Sequence, residues 1–256
     1  MRFNMAFGTQ RKAAYTGTSV DQAAYDEGLR AYMLRVYNYM ASGLALTGII
    51  ALLIAQMSVN MNDAGQITSL TQLGNTLFNT PLKWVVMLAP LGLVIFLSAK
   101  LHSMSFTTAQ TTFWVYAGLM GVSMATIFMA FTGQSIARVF FISAGTFAAM
   151  SLYGYTTKKD LSKFGSFLMM GLIGIIVASL VNIFLQSSAL HFAISVIGVL
   201  VFVGLTAYDT QNIKNEYDEY HDEETAGKLA ISGALRLYLD FINLFIMLLH
   251  LFGDRR

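Results

Sequence analysis

The sequence contains no cysteine, only 2 prolines in 256 residues, and only 12% charged residues. Without cysteine there is no disulfide framework, thiol nucleophile or thiolate metal site, though nothing follows about compartment. With so few charges and 55% hydrophobic residues, the chain has more apolar surface than a soluble core of this size can bury. It needs a lipid solvent. Strands of alternating polarity are also missing; the apolar runs extend about 20 residues, the length of a membrane-crossing helix. Helices and closed barrels alone satisfy their own backbone in hydrocarbon, and these runs select helices. Met1 to Arg30 is polar and mixed in charge and holds no short apolar core followed by small residues, so no cleavable signal peptide is expected. A formal net charge of +2 is uninformative about partners, and no nucleic-acid partner is expected. The histidines, His102, His191, His221 and His250, are scattered rather than clustered as a catalytic zinc requires. No His-Glu-x-x-His or glycine-rich phosphate loop occurs, and no lysine lies between Leu229 and Phe252 to hold a retinal. Neither an enzyme nor a protein-bound cofactor is expected.

Hydropathy read in windows of about 19 residues places seven helices near 36–57, 82–100, 109–131, 137–156, 165–187, 190–211 and 229–252. The expected class is therefore an all-α integral membrane protein. A polar N-terminal tail over 1–35 precedes the membrane domain at 36–252, and a short tail follows at 253–256. With a cytoplasmic N-terminus, that side receives Arg2, Arg11, Lys12, Arg30, Arg35, Lys100, Lys158, Lys159, Lys163, Lys214 and Lys228. The other side receives Lys83, Arg138, Arg255 and Arg256. This excess, with no Lys or Arg from Val59 to Thr80, predicts the N-terminus inside and the C-terminus outside. Gly171, Gly174 and Ala178, like Ala144 and Ala148, have the spacing of tight helix contacts. No repeat suggests an inverted duplication.

A charge at the bilayer centre costs about 3 kcal/mol on insertion scales, so each one kept there needs a partner, water or a function. On the last helix Ser232, Arg236, Asp240, Asn243 and His250 fall within an arc of roughly 80°, at about 100° per residue. Such a stripe must face protein or water. Asp209 lies about one turn inside the end of the sixth helix. Asp240 lies roughly 13–15 Å into the seventh from the same boundary, at about 1.5 Å per residue. The two acids can meet at one depth. A pair so placed would share a proton and act as a latch, closed when singly protonated and pushed apart when doubly ionised. Alternatively a hard cation such as Ca²⁺ takes the proton's place, or Arg236 neutralises Asp240 within the helix while Asp209 snorkels to the interface. Asn182, with Ser179 and Gln186, reads as an interhelical hydrogen bond. The acidic run from Glu216 to Glu224 lacks a calcium-loop pattern and reads as a solvated connector.

The segments Ser151 to Leu161, Val201 to Ile213 and Leu237 to Phe245 resemble the transmembrane Bax inhibitor motif family (Bax inhibitor-1-like) in its bacterial branch. The resemblance implies seven helices with the C-terminal one wrapped by the other six, in the bacterial inner membrane. It also implies a pH-sensitive calcium leak gated by an acid dyad, here Asp209 and Asp240, with Ca²⁺ as the transported ion. The family's basic residue near the end of the second helix would be Lys100. Eukaryotic relatives restrain cell death, and some bacterial relatives resemble modulators of a membrane-bound AAA protease. Two functions are thus expected in competition: a proton-regulated cation leak, and a non-transporting regulator that engages a membrane protease or a stress-response protein. A monomer in the lipid bilayer accommodates both.

Overall fold

The computed structural model describes residues 19–62 and 66–256, with the side chains of residues 19–22 and 102 left out. It contains α1 (Ser19–Ser58), a hairpin of β1 (Val59–Met61) and β2 (Ile67–Leu70), α2 (Gln72–Phe78), α3 (Leu82–Lys100), α4 (Phe106–Ala130), α5 (Gly133–Thr156), α6 (Ser162–Leu185), α7 (Ser188–Asn215) and α8 (Glu223–Phe252). Seven of these, α1 and α3 to α8, are long and apolar enough to cross a membrane. Each expected helix is present, and α3 has the expected bounds. The first begins much earlier than residue 36, at Ser19, so the described part of the expected tail is helical. Residues 1–18 lie outside the described residues. The connection expected from Val59 to Thr80 is built, with β1 and β2 antiparallel and Val59 opposite Leu70.

Short polar side chains set where the helices begin. Ser105, Thr132, Ser187 and Asp222 precede α4, α5, α7 and α8, and each accepts a hydrogen bond from the backbone N–H three residues on. Such caps satisfy donors that hydrocarbon would leave orphaned. At the end of α6, Gln186 takes a left-handed backbone conformation (φ 49°), which turns the chain directly into α7. Asn182 serves this turn, its Oδ1 accepting from the Ser187 N–H at 3.0 Å. The interhelical role expected for Asn182 is therefore corrected: the nearest orphaned donor is a local one.

Along its most apolar stretch, α8 has the largest buried share of the seven, 56%, and α6 the smallest, 6%. Four helices, α1, α4, α5 and α7, pack substantially on α8, whereas α3 reaches the bundle mainly through α4, and α6 through α7. The expected ring of six thus becomes a ring of four with two outer helices. The physical reason lies in α6 itself: almost wholly apolar, it is solvated by lipid as well as by protein. Its small residues divide accordingly. A Cβ on Gly171 would meet Val201 of α7 at 2.8 Å, whereas one on Gly174 would meet nothing within 4 Å.

A closer approach between two membrane-crossing helices occurs at Gly154, where a Cβ would lie 2.2 Å from the Ala207 carbonyl oxygen. Backbone cannot yield as a side chain can, so Gly154→Ala must push α5 off α7. A loss of about 1–3 kcal/mol is expected, in line with overpacked cores. A thermal midpoint in detergent equal to that of the unmodified protein would contradict the contact.

Candidate functional site

The polar stripe of α8 faces α7 at successive levels. The carboxyl groups of Asp209 and Asp240 lie within hydrogen-bonding reach of each other. Arg236, one turn before Asp240, places its guanidinium 3.9 Å from Asp209 Oδ1 and donates a hydrogen bond to Glu216. Far along the helix, the His250 ring lies 4.6 Å from that of His191 on α7, centre to centre. Between these levels Asn243 donates to the Leu239 carbonyl of its own helix at 2.8 Å. Ser232 is partly buried and makes no hydrogen bond to another helix among the described residues.

Asp209 is held by the groups around it on α7. Thr210 Oγ1 lies 2.9 Å from Ser151 Oγ, and Ser151 Oγ lies 2.6 Å from the Tyr37 hydroxyl, so a hydroxyl chain ties α7 to α5 and α1. Gln211 donates to the Lys159 carbonyl and accepts from the Leu161 N–H, both at 2.8 Å, which fixes α7 against the α5–α6 turn. Lys214 donates to the Tyr155 carbonyl at 2.8 Å and lies over the Tyr155 ring. On the facing helix, the Tyr238 hydroxyl meets Thr47 of α1 at 2.7 Å, and Thr47 donates to Ala117 of α4. Both acids are therefore mounted on backbone pinned by neighbours.

The alternative of an intrahelical pair is not met: Arg236 turns to Asp209 and Glu216 and forms no ion pair with Asp240 among the described residues. Lys100, expected as a basic partner, is corrected too, since it is exposed at the end of α3 and forms no ion pair among the described residues. Sequence reasoning missed Glu216, which follows Asp209 by seven residues and so returns to the same helix face two turns later. That spacing was a usable signal. The hydroxyl chain had none, because nothing in the sequence joins Tyr37 to Ser151.

The acidic connector is also not uniformly solvated. Glu216 holds Arg236, while Glu223 and Glu224 pair with Arg35 and Lys228. Asp222 caps α8, and hydrogen bonding from Thr225 holds its carboxyl below the usual carboxylate range. A lowered folded value means that the cap's contribution is present above the ordinary aspartate value, about 3.9, and is lost as pH falls through the folded one. Asp222→Ala should thus lower the thermal midpoint at neutral pH and leave little difference from the unmodified protein near pH 2. A gap that persists in acid would contradict the cap.

Chemically, the site places Asp209 and Glu216 at one guanidinium, with Asp240 meeting Asp209 from the facing helix. Asp240 is 5% exposed, and its Oδ2 has no hydrogen-bond partner among the described residues, as is also true of Arg236 Nε. One proton on either aspartate supplies the missing donor, because a protonated carboxyl can donate to its neighbour. A resident Ca²⁺ is a poorer fit: it takes about 6–8 oxygen ligands, and no group of three or more acidic, histidine or cysteine side chains converges among the described residues. Two carboxylates beside an arginine suit a proton, or a cation in passage with most of its water.

The comparisons with known proteins agree with this architecture. A family model described as Bax1-I, inhibitor of apoptosis-promoting Bax1, matches residues 29–256. Protein RP147 of Rickettsia prowazekii (strain Madrid E) is 48% identical over 239 residues, which is 93% of this chain and 96% of that protein. Inner membrane protein YbhL of Escherichia coli (strain K12) is 48% identical over 232 residues, 90% of this chain and 94% of YbhL. Membrane protein SpyM3_0260 of Streptococcus pyogenes is 33% identical over 229 residues, 89% of this chain and 94% of its own length.

Proposed function

The chain belongs to the Bax1-I family of membrane proteins, and from that premise we propose that it is a pH-regulated passive cation leak, with calcium as the expected ion. YbhL is named an inner membrane protein, and we place this chain in the same membrane with its N-terminus cytoplasmic, as its Lys and Arg distribution favours. The observation that carries the reading is the meeting of Asp209 with Asp240 inside the bundle, where Asp240 Oδ2 lacks a donor.

With one proton between them the two carboxyls attract, and α7 stays against α8. Without it, Asp209 and Asp240 are both ionised, and Arg236, already shared between Asp209 and Glu216, satisfies only part of their charge. Like charges in a site of low dielectric then repel, and the helices part along the stripe that they share. Water entering that seam gives a hydrated cation an acid-lined path, which is the usual role of acids within a membrane. Protonation closes the path and deprotonation opens it.

The test is calcium flux into liposomes containing the purified protein, measured between about pH 5 and 8, where protein stability is generally greatest. Flux should rise with pH. A flux that stays at the level of empty liposomes, or one indifferent to pH, overturns the proposal.

A further inference from the structure

From the level just past Asp240 to the far end of the bundle, α1 and α5 both pack on α8 but hardly on each other. Between them lies a cleft of about 550 Å³, within the range of roughly 300–1,000 Å³ typical of ligand sites. Its floor is Phe241, Ile242 and Phe245 of α8, and its walls include Ile49 of α1 and Phe141 of α5. Those two wall residues are 58% and 73% exposed, so the cleft opens sideways, toward hydrocarbon in a membrane-spanning chain. Two glycines leave it vacant: a Cβ added at Gly48 or at Gly133 would meet no atom within 4 Å. Elsewhere α1 is closely packed, as at Gly43, where a Cβ would lie 2.8 Å from Phe113.

The cleft's charged end identifies its occupant. Arg256 lines it, fixed by donation from its Nε to the Phe131 carbonyl at 3.1 Å and from its backbone N–H to Ala130 at 3.0 Å. Arg255 and Arg138 belong to the same end, and the one acidic side chain there among the described residues, Asp254, is paired with Arg138 at 3.0 Å. Three guanidiniums against the Asp254 side chain and the α-carboxylate of Arg256 leave a net positive charge beside an apolar slot. We propose that the cleft binds an anionic glycerophospholipid, one acyl chain lying on Phe241 and Phe245 between α1 and α5 and the phosphate against Arg256. An acyl chain in the slot makes the van der Waals contacts that a gap between the helices forfeits, and basic residues beside a helix crevice select anionic headgroups. This inference rests on the cleft and not on the ion leak, so either can fail without the other.

The experiment is native mass spectrometry of the detergent-purified protein titrated with phosphatidylglycerol and, separately, with phosphatidylcholine. The unmodified protein should retain one phosphatidylglycerol and bind it at least tenfold more tightly than phosphatidylcholine. Gly48→Leu fills the slot and should weaken binding at least tenfold, whereas Gly92→Leu, at an open position on α3 away from the cleft, should not. Arg256→Gln should abolish the preference between headgroups. Gly133→Leu fills the slot from the opposite wall and serves the same purpose if Gly48→Leu does not fold. Undiminished binding in a folded Gly48 or Gly133 variant, or equal binding of both lipids by the unmodified protein, means annular lipid only and overturns the proposal.

Discussion

In liposomes, Asp240→Asn is expected to abolish the pH dependence of cation flux, and Asp209→Asn to do the same. An asparagine amide carries no titrating proton, yet it donates a hydrogen bond to the remaining carboxylate, so each variant imitates the singly protonated pair. Two unit charges about 4 Å apart repel by about 4 kcal/mol at an effective dielectric near 20. Removing that repulsion shifts an open–closed balance by between two and three powers of ten, since about 1.4 kcal/mol is tenfold. Both variants should therefore leak at least tenfold less than the unmodified protein at the upper end of the pH range. Asp240→Asn has a second signature. It replaces a buried oxygen that lacks a donor, so its thermal midpoint at neutral pH should not fall. Flux that follows the original pH profile in both variants would remove the dyad from the mechanism.

Arg236→Gln should have the opposite effect, raising flux at neutral pH while lowering stability. Its side chain is 28% exposed, against 15% for Asp209 and 36% for Glu216. Breaking a fully buried pair costs about 3–5 kcal/mol; with this much solvent screening, about 1–3 kcal/mol is expected. Flux rises because the dyad loses the positive charge beside it. Arg236→Lys keeps the charge without the planar fork that can serve two carboxylates, and its flux should fall between the two. Glu216→Gln separates electrostatics from packing. It frees the guanidinium to close on Asp209, so flux should drop although an ion pair is lost. Should Arg236→Gln and Glu216→Gln shift flux in the same direction, Arg236 acts through packing and not through charge.

Much of this arrangement was legible because hydrocarbon is a severe solvent. The long apolar runs could only be helices, and the stripe on α8 could only face protein, which led to Asp209 and Asp240. The identity of the cation was not legible. From spacing alone, Arg236 is one turn from Asp240, yet side chains on a helix lean toward its N-terminus, which carries the guanidinium away from Asp240 toward Asp209 and Glu216. Lys100 seemed available because an end-of-helix lysine reaches far, but such a residue keeps its charge in water at little cost. Asn182 was misread because a polar side chain inside a greasy helix looks like interhelical glue, whereas the caps and turns of a membrane bundle have equal need of it. The cleft between α1 and α5 has no sequence signature, since a glycine facing a void and one facing a neighbouring helix are written alike.

The most buried helix of the bundle is also made after the other six spans. Until α8 is made, α1 lacks the Tyr238 hydroxyl beside Thr47, and Asp209 lacks Arg236. A bundle of the first six spans thus leaves Asp209 without its cation, so folding cannot be completed span by span during insertion. Assembly of the bundle must wait for α8, because the partners of Thr47 and Asp209 lie on it.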